Sequence, residues 1–299
     1  MKSIISKVKS HLLLKLNITL PIRRLRHVTT ETGVIGIIRT EAFKKSPRES
    51  EVFRDLSFWS AEVLSGDTER ARQEAYEKVR HLVAPEMAAG FQEDIKEQFA
   101  NSLAFDNSSS RYGNFVFSFP LSDLPDAYKD QHCRGGEPQL RVLGTAMYRR
   151  EIAHAVVIHS PETDRYNDFP LVPVLSRHSE PFPFVYQRDG DVGMWWTPES
   201  TSTTIKVRIL EEGRMTRTCA LDQPCLGYSK DGKCPHEHRC VWNHLIIAFH
   251  LPEGQHFAFP KEKLLQNLST CHGATDKYLK DTMVTKEEAE GIIREFMKI

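Results

Sequence analysis

The stretch LRHVTTETGVIGIIRTEAF, Leu25–Phe43, decides the fold class that this sequence predicts. It opens with a short apolar and basic segment that ends at His27, and threonines follow the histidine. Over Gly33–Thr40 the apolar side chains recur at near-helical spacing, so we predict a helix there with Thr32 as its N-cap. His27 therefore stands at a predicted strand end, directly before a helix, where side chains are well placed to meet a ligand.

The pattern outside this stretch predicts an α+β protein. A charged amphipathic segment that opens at Asp67 predicts one helix, and residues 85–103 predict another that starts at Pro85. The middle of the chain is rich in alternating and β-branched segments that favour strands: NFVFSFPL, LRVLG, EIAHAVVIHS, TTIKVRIL and CVWNHLIIAFHL, with a hairpin at PFVYQRDGDVGMWW. Helices return near the end, where Thr285 and Glu288 form a capping box. This order predicts an antiparallel or mixed sheet.

The composition argues against several classes of protein. Forty Lys and Arg residues balance 40 Asp and Glu residues among 299, so no net field attracts nucleic acid or an anionic membrane. No apolar run reaches the roughly 20 residues that span a bilayer. Six cysteines in this length do not form a disulfide scaffold. We therefore expect no membrane span, no strong nucleic-acid signature, and a cytoplasmic or nuclear location.

Residues 1–24 are basic and contain no acidic residue. Their apolar core is interrupted by Lys15 and is too short for a signal peptide, so we predict a basic N-terminal extension, with a presequence-like amphipathic helix as the alternative. The P-loop, the G-x-G-x-x-G fingerprint after a strand and the G-x-S-x-G elbow are all missing from the sequence. The usual nucleotide-binding loops and the hydrolase nucleophile are therefore not expected.

Cysteines and histidines crowd between Cys219 and Cys240, in a predicted insertion between two strands. Thiolates and imidazoles at this density can surround a tetrahedral zinc ion. The candidate ligands are Cys219, Cys225, Cys234, His236, His238 and Cys240, and the simplest set of four takes the first three with His238 or Cys240. The spacing contains no C-x2-C pair, so disulfides and unbonded thiols stay open as alternatives to a structural zinc. A catalytic zinc is not expected, because no H-E-x-x-H or deaminase-type pattern is present.

Three segments, in order, resemble the conserved elements of ADP-ribosyltransferases of the diphtheria-toxin and poly(ADP-ribose) polymerase type. In that family a strand ends in His, small residues follow and a helix begins; RHVTTETGVIGIIRTEAF matches this element with His27 and Thr29. The second element is an aromatic residue at a strand end, followed by a helix with a tyrosine. The segment LSFWSAEVLSGDTERARQEAYEKV offers Phe58 or Trp59, and then Tyr76.

The third element of the family is a glutamate at the start of a strand, and Glu151 precedes a strongly β-forming run. The resemblance covers roughly residues 25–160. It implies a split mixed or antiparallel sheet with flanking helices over residues 25–260, interrupted by the Cys/His-rich insertion at 219–240. Residues 261–299 are then a C-terminal helical appendage.

The resemblance also implies that NAD is the substrate. Glu151 would stabilise the positive charge that develops on the ribose as the nicotinamide bond breaks. His27 would hold a ribose hydroxyl of the adenosine half, and Thr29 would hold the nicotinamide amide. The stacking face would come from Phe58 or Trp59, with Tyr76 nearby in the following helix.

The family usually has tyrosine at the stacking position, whereas this chain has Phe58. The implied activity is therefore transfer of a single ADP-ribose unit to an unidentified protein or nucleic-acid acceptor. The alternative is a catalytically inactive module that binds a nucleotide or a partner, with a zinc-stabilised loop. RHVTT, SRYGNFVFSFPL, RVLGTAMYRREIAHAVVIHSP and VWNHLIIAFH also resemble a group of fish proteins related to the reovirus-induced, interferon-responsive set. That second resemblance implies an antiviral or stress-response setting.

Overall fold

The computed structural model describes residues 20–46, 53–62, 64–80, 109–110, 112–148, 151–172, 184–187, 193–196, 206–211, 214–220, 244–273 and 284–298. Within this part the helices are α1 (Glu31–Thr40), α2 (Ser65–Val79), α3 (Asp123–His132), α4 (Lys261–Gln266) and α5 (Lys286–Phe296). The strands are β1 (Leu20–Ile22), β2 (Arg24–Thr29), β3 (Ala42–Phe43), β4 (Leu56–Glu62), β5 (Ser109–Ser110), β6 (Phe115–Pro120), β7 (Gln139–Tyr148), β8 (Glu151–His159), β9 (Phe184–Gln187), β10 (Gly193–Trp196), β11 (Lys206–Glu211), β12 (Arg214–Ala220), β13 (His244–His250), β14 (Phe257–Ala258), β15 (Leu268–Thr270) and β16 (His272–Gly273).

The largest sheet in the described part has nine strands in the order β12-β11-β7-β8-β13-β4-β2-β6-β15. Its neighbouring strands are antiparallel except for two parallel pairs, β7 with β11 and β8 with β13. The predicted α+β class with a mixed, mainly antiparallel sheet is therefore confirmed. The hairpin predicted around the Asp-Gly turn is also present as the antiparallel pair β9 and β10.

The sheet forks between β2 and β4. These strands pair only where Arg24–Arg26 face Ser60–Glu62. Beyond that point β2 stays with β6, as far as the pair of Thr29 and Phe115. β4 instead stays with β13, as far as the pair of Leu56 and His250. The two halves of the sheet therefore diverge after three shared residue pairs, and the divergence leaves room between them.

Helix α1 follows β2 and packs against β2 and β3. Its buried residues Val34, Ile37 and Ile38 are those that the helical spacing predicted. The N-cap, however, is Thr30, whose side chain accepts a hydrogen bond from the Gly33 amide, and the prediction of Thr32 was wrong. The helix starts two residues earlier than predicted, because β2 ends at Thr29 and leaves the next threonine in the extended conformation that a cap requires.

Aromatic rings fill the core on the α1 side of the sheet. The fully buried phenylalanines and the tryptophan are Phe43, Trp59, Phe115, Phe117, Phe119, Phe249 and Phe257. They come from strands in both halves of the forked sheet and from the separate two-stranded sheet of β3 and β14, so this face stays packed where the backbone ladder between the halves has ended. A large ring can bridge a gap between strands that smaller side chains would leave empty.

A smaller cluster covers the opposite face of the sheet, where Leu56, Val157 and Ala248 pack under Tyr166. The Tyr166 ring lies between His159 and His250, with each pair of ring centroids 5.3 Å apart. The segment that carries Tyr166 therefore places one aromatic ring against two buried imidazoles.

Arg141 on β7 fastens this segment to the sheet. Its guanidinium donates to the main-chain oxygens of Asn167 and Phe169, at 3.0 and 2.8 Å, and to the side chains of His159, Gln139 and Asn167. These bonds tie residues 161–172 to the strands that they cover.

Both ends of the described chain extend the sheet system. Leu20–Ile22 form β1, which pairs with β10, and Ile22 is buried in the core, so the predicted extension 1–24 contains structured residues at its end. The predicted C-terminal appendage is not only helical, since β15 lies at one edge of the nine-stranded sheet beside β6.

The capping box of Thr285 and Glu288 at the start of α5 is confirmed. The helix predicted for residues 85–103 lies outside the described residues. Among the described helices, none is long and apolar enough to cross a bilayer.

Candidate functional site

A cleft of about 300 Å³ opens at the fork of the sheet. β2 and β4 supply most of its walls, and the connection after β3, the loop before β6 and β13 supply the rest. The lining residues are Arg26, His27, Val28, Lys44, Ser46, Phe58, Trp59, Ser60, Tyr112 and Ile246. A cavity of this size is at the lower end of the range for small-molecule sites, and it can hold one nucleoside-sized group.

His27 bridges the two halves of the sheet beside this cleft. Its ring nitrogen Nδ1 lies 2.9 Å from the main-chain oxygen of Phe58 on β4. Because a carbonyl oxygen can only accept, Nδ1 is the protonated nitrogen and Nε2 of the neutral ring is left as an acceptor. Burial lowers the pKa of His27, and the hydrogen bond to Phe58 offsets part of that effect. The imidazole is therefore neutral at pH 7 and has an acceptor to offer.

The His27 ring is held by aromatic neighbours. Its centroid lies 5.1 Å from that of Phe43 and 5.3 Å from that of Trp59. Phe43 and Trp59 also contact each other edge to face, with centroids 4.7 Å apart. Edge-to-face packing of this kind restricts the rotation of each ring. The histidine is thus placed rigidly before any ligand arrives.

Phe58 and Trp59 reach the cleft from opposite faces of β4. Successive side chains of a strand point to opposite sides, so Trp59 packs in the main core whereas Phe58 belongs to the smaller cluster. Phe58 is supported by Phe53, with ring centroids 6.4 Å apart. Of the two candidates for the stacking position, Phe58 is the partly exposed one and Trp59 is 1% exposed. A ligand ring would therefore meet Phe58 first.

Among the described residues that line the cleft, the charged side chains are basic. Lys44 is exposed and Arg26 is 4% exposed, and both line the cleft. No carboxylate occurs among the lining residues that the structure describes. Asp55, on the same connection between β3 and β4, is in ion pairs with Lys45, Arg54 and Arg165. The described walls therefore favour an anionic ligand.

Thr29 and Tyr76 lie apart from the cleft lining. A Cβ atom placed on Gly33 would fall 1.8 Å from Thr29 Oγ1, so the Thr29 hydroxyl is turned toward α1. Tyr76 on α2 packs against the main core. Both residues are next to elements that form the cleft, but the described geometry gives them a packing role.

Glu151 is not brought to His27. The register aligns the row of Trp59 and Ile247 with Val156 on β8, five residues beyond Glu151. β8 also lies three positions from β2 in the strand order. At about 3.3 Å per residue and 4.8 Å per strand, the two backbones are roughly 20 Å apart. The strand register therefore places the backbone of Glu151 toward the other end of the sheet from His27. The role of Glu151 at the ribose stays a prediction of the sequence.

The candidate zinc ligands fall largely beyond the described chain. Cys219 is on β12, where its backbone pairs with Val207. The other candidates, Cys225, Cys234, His236, His238 and Cys240, lie outside the described residues. Within the residues that are described, no group of three or more His, Cys, Asp or Glu side chains is arranged to hold a metal ion.

Sequence reasoning missed several lining residues, above all Lys44, Tyr112 and Ile246. Lys44 directly follows the matched stretch Leu25–Phe43, so an extension of that stretch would have included it. Tyr112 and Ile246 reach the cleft only through the pairing of β6 with β2 and of β13 with β4. No local pattern marks residues of this kind.

Comparison of this chain with protein-family models, with curated proteins and with solved structures finds no match.

Proposed function

We propose that the cleft at the fork binds an adenine nucleotide of the NAD type, and that this chain is a nucleotide-binding module. The observation that carries the proposal is the convergence of His27, Phe58 and Trp59 on one cleft. These residues come from the first two motifs that resemble ADP-ribosyltransferases. His27 and Phe58 are 31 residues apart in the sequence. The sheet divides between the two strands that carry them.

The chemistry of the lining suits such a ligand. Phe58 offers an apolar face on which a base or a nicotinamide ring can stack. The Nε2 acceptor of neutral His27 can take a hydrogen bond from a ribose hydroxyl. Lys44 can interact with a phosphate group at the mouth of the cleft. A ring, a sugar hydroxyl and a phosphate are the three parts of a nucleotide.

A second candidate is the transferase activity itself, in which one ADP-ribose unit passes from NAD to a protein or nucleic-acid acceptor. The same convergence of histidine and aromatic side chains favours it. It also requires a carboxylate near the ribose that becomes positively charged. The separation of Glu151 from His27 weighs against Glu151 in that role, which is why the binding module takes first place. An antiviral or stress-response setting remains a proposal that rests on the resemblance to the fish proteins.

Calorimetric titration of the full chain with NAD tests the proposal. We expect binding, and we expect Phe58→Leu to weaken it about tenfold, because the stacking face is lost. Phe53→Leu is the matched control: Phe53 packs on Phe58 but does not line the cleft, so its replacement should change the affinity less than twofold. Equal effects of the two variants, or no binding by the native chain, would overturn the proposal.

Incubation with labelled NAD separates the module from the transferase. We expect the native chain to retain NAD without attaching label to itself or to added proteins. Labelling that disappears in Glu151→Gln would favour the transferase and contradict our placement of Glu151. Labelling that survives in Glu151→Gln would favour a transferase that uses another carboxylate.

A structural zinc ion in the 219–240 segment is a separate proposal, supported by the density of thiols and imidazoles in the sequence. Its role would be to fold a loop, and no step at the cleft depends on it.

A further inference from the structure

Residues 161–169, which we call the covering segment, lie over the face of the sheet that carries the smaller cluster. Tyr166 is the buried residue of this segment, and its ring packs between the imidazoles of His159 and His250. The Tyr166 hydroxyl is buried without a hydrogen-bond partner among the described residues. Tyr166 therefore contributes packing but no hydrogen bond to the attachment of the segment.

The Arg141 guanidinium supplies hydrogen bonds that hold the covering segment. Its Nη1 donates to the main-chain oxygens of Asn167 and Phe169, and its Nη2 donates to the Asn167 side chain at 3.0 Å. Its Nε donates to Nε2 of His159 at 3.2 Å. The position of this guanidinium is therefore shared between the covering segment and one buried imidazole.

The protonation state of His159 is fixed by its two hydrogen bonds. Its Nδ1 lies 2.8 Å from the main-chain oxygen of Ser160, which can only accept, so Nδ1 carries the proton. A second proton would have to bind at Nε2, where it would face the N–H of Arg141, and a guanidinium stays protonated in proteins. The contact that positions Arg141 would then become a repulsion between two cations.

The charges around His159 and His250 mostly oppose a proton on either ring. Burial, followed by Arg165, lowers the pKa of His250 to about 4, and the Asp55 carboxylate offsets only part of this effect. Burial also lowers the pKa of His159, with Arg141 acting in the same direction. The described titratable and charged groups that face the two imidazoles are Arg141 on β7, Arg165 and Tyr166 on the covering segment, Asp55 before β4, and Tyr128 and His132 on α3. The carboxylates of the covering segment itself, Glu162, Asp164 and Asp168, are exposed.

A second polar attachment of the covering segment does not respond to mild acid. Arg165 pairs with Asp55 at 3.2 Å. Contacts with Lys45, and then with Arg165, lower the pKa of the Asp55 carboxyl, so it stays charged while a histidine of ordinary pKa takes up its proton. The imidazoles are therefore the groups whose titration can change the hold on the segment.

We propose that mild acid releases the covering segment, and that the contact between His159 and Arg141 is the sensor. The inference does not depend on the proposed function. When the segment lifts, both imidazoles meet solvent and their pKa values return toward 6.5, so opening takes up protons. Between the lowered pKa of the closed form and about pH 6.5, the open fraction should rise by up to about tenfold per pH unit for each histidine. Above about pH 6.5 the hold on the segment is complete.

Release of the covering segment would also affect the cleft. Tyr166 is one of the buried residues of the smaller cluster, together with Leu56, Val157 and Ala248, and Phe58 packs against this cluster. When Tyr166 leaves, water reaches the cluster. The stacking face of Phe58 then loses part of its support.

Hydrogen exchange of the full chain between about pH 7.5 and 5.5, with rates corrected for the intrinsic dependence on pH, tests the inference. The reporters are the amides of Asn167 and Phe169, which donate to oxygens within the covering segment. The reference is the Ser118 amide on β6, which donates to Asn267. We expect the protection of the reporters to fall at least about tenfold more than that of the reference over this range.

Three variants test the assignment to His159. His159→Gln keeps an oxygen that can accept from Arg141 but cannot take up a proton at these pH values, so it should reduce the fall in protection several-fold. His256→Gln replaces an exposed histidine and should leave the fall unchanged. Asn167→Ala removes one acceptor of Arg141, so it should lower the protection of the reporters at every pH without changing its dependence on pH.

The results can overturn each part of the inference. Reporters that lose protection only in step with Ser118 would refute the release, because acid would then act on the whole protein. The native dependence on pH in His159→Gln, or an equal reduction in His256→Gln, would refute the assignment of the sensor. The comparison of reporters and reference within the native chain needs no variant, so it decides on the release even if His159→Gln does not fold.

Discussion

The Nδ1 atom of His27 donates to the main-chain oxygen of Phe58, across 2.9 Å, at the point where β2 and β4 stop pairing. If the strands stayed together, the next backbone pair of the ladder would join His27 to Trp59, the residue after Phe58. The His27 side chain therefore links the two strands one position beyond their last backbone pair. This bond satisfies the Phe58 carbonyl and directs the other ring nitrogen away from it.

The first prediction concerns this bond. His27→Phe keeps a ring among Phe43 and Trp59 but leaves the Phe58 oxygen without its donor, so we expect the free energy of unfolding to fall by about 1–2 kcal/mol. His27→Ala also removes the packing and should cost about 3 kcal/mol. Urea denaturation measures both. If His27→Phe were as stable as the native chain, the bond would have no structural role.

The second prediction uses two glycines of α1. A Cβ on Gly33 would meet Thr29 Oγ1 at 1.8 Å, whereas a Cβ on Gly36 has nothing within 4 Å. Gly36→Ala should therefore raise the free energy of unfolding by up to about 1 kcal/mol, because alanine favours the helix. Gly33→Ala should lower it, despite the same gain in helix propensity.

The double variant Thr29→Ala with Gly33→Ala serves as the control for this pair. It removes the hydroxyl that the new methyl group would strike, so it should recover most of the loss. Thermal or chemical unfolding of the four proteins checks the comparison. Failure of the double variant to recover would mean that the cost of Gly33→Ala arises elsewhere.

The third prediction is a dependence of stability on pH that comes from His250. Burial, followed by the charge of Arg165, lowers the pKa of His250 to about 4. In the unfolded chain a histidine has a pKa near 6.5, so between about pH 4 and 6.5 the unfolded state binds more protons than the folded state. Stability contributed by the neutral ring is therefore present above about pH 6.5 and is lost as the pH falls.

His250→Gln should flatten this part of the stability curve, with a change in slope of up to about 1.4 kcal/mol per pH unit. His256→Gln is the matched control, since His256 is exposed on the loop after β13. Denaturation at a series of pH values distinguishes them. Burial lowers the pKa of His27 and of His159 too, so a residual slope in the same direction is expected in both variants. Identical slopes for His250→Gln and the native chain would contradict the assignment.

The fourth prediction concerns metal. If zinc folds the 219–240 segment, the purified chain should contain about one zinc per molecule after a mild chelator wash, and Cys225→Ser with Cys234→Ser should lose it. Elemental analysis of the two proteins gives the answer. Cys271→Ser is a suitable control, because Cys271 is buried far along the chain beside Gly113 and is not among the candidate ligands. Zinc that is absent from the native chain, or retained by the double variant, would exclude these cysteines as ligands.

Much of the architecture was predictable because it follows from local patterns. Alternating and β-branched runs predicted β6, β8 and β13, and the helical spacing after Gly33 predicted the buried face of α1. The position of Glu151 at the start of a strand was also correct. Its distance from His27 could not be predicted, because the order and register of strands depend on pairings between distant segments, and these leave no trace in a local pattern. Tyr112 and Ile246 were missed for the same reason, since each enters the site through a neighbouring strand.

The short ladder between β2 and β4 has a mechanical consequence. Only three residue pairs, Arg24–Arg26 with Ser60–Glu62, join the backbones of β2 and β4, and we call this short ladder the seam between the two halves of the nine-stranded sheet. A small opening motion at the seam would therefore change the width of the cleft. Main-chain amides next to the seam should exchange their hydrogens with solvent sooner than those in the middle of β13, which has a strand on either side. A ligand that contacts both halves of the sheet would oppose this opening, and it would slow the hydrogen exchange of these amides.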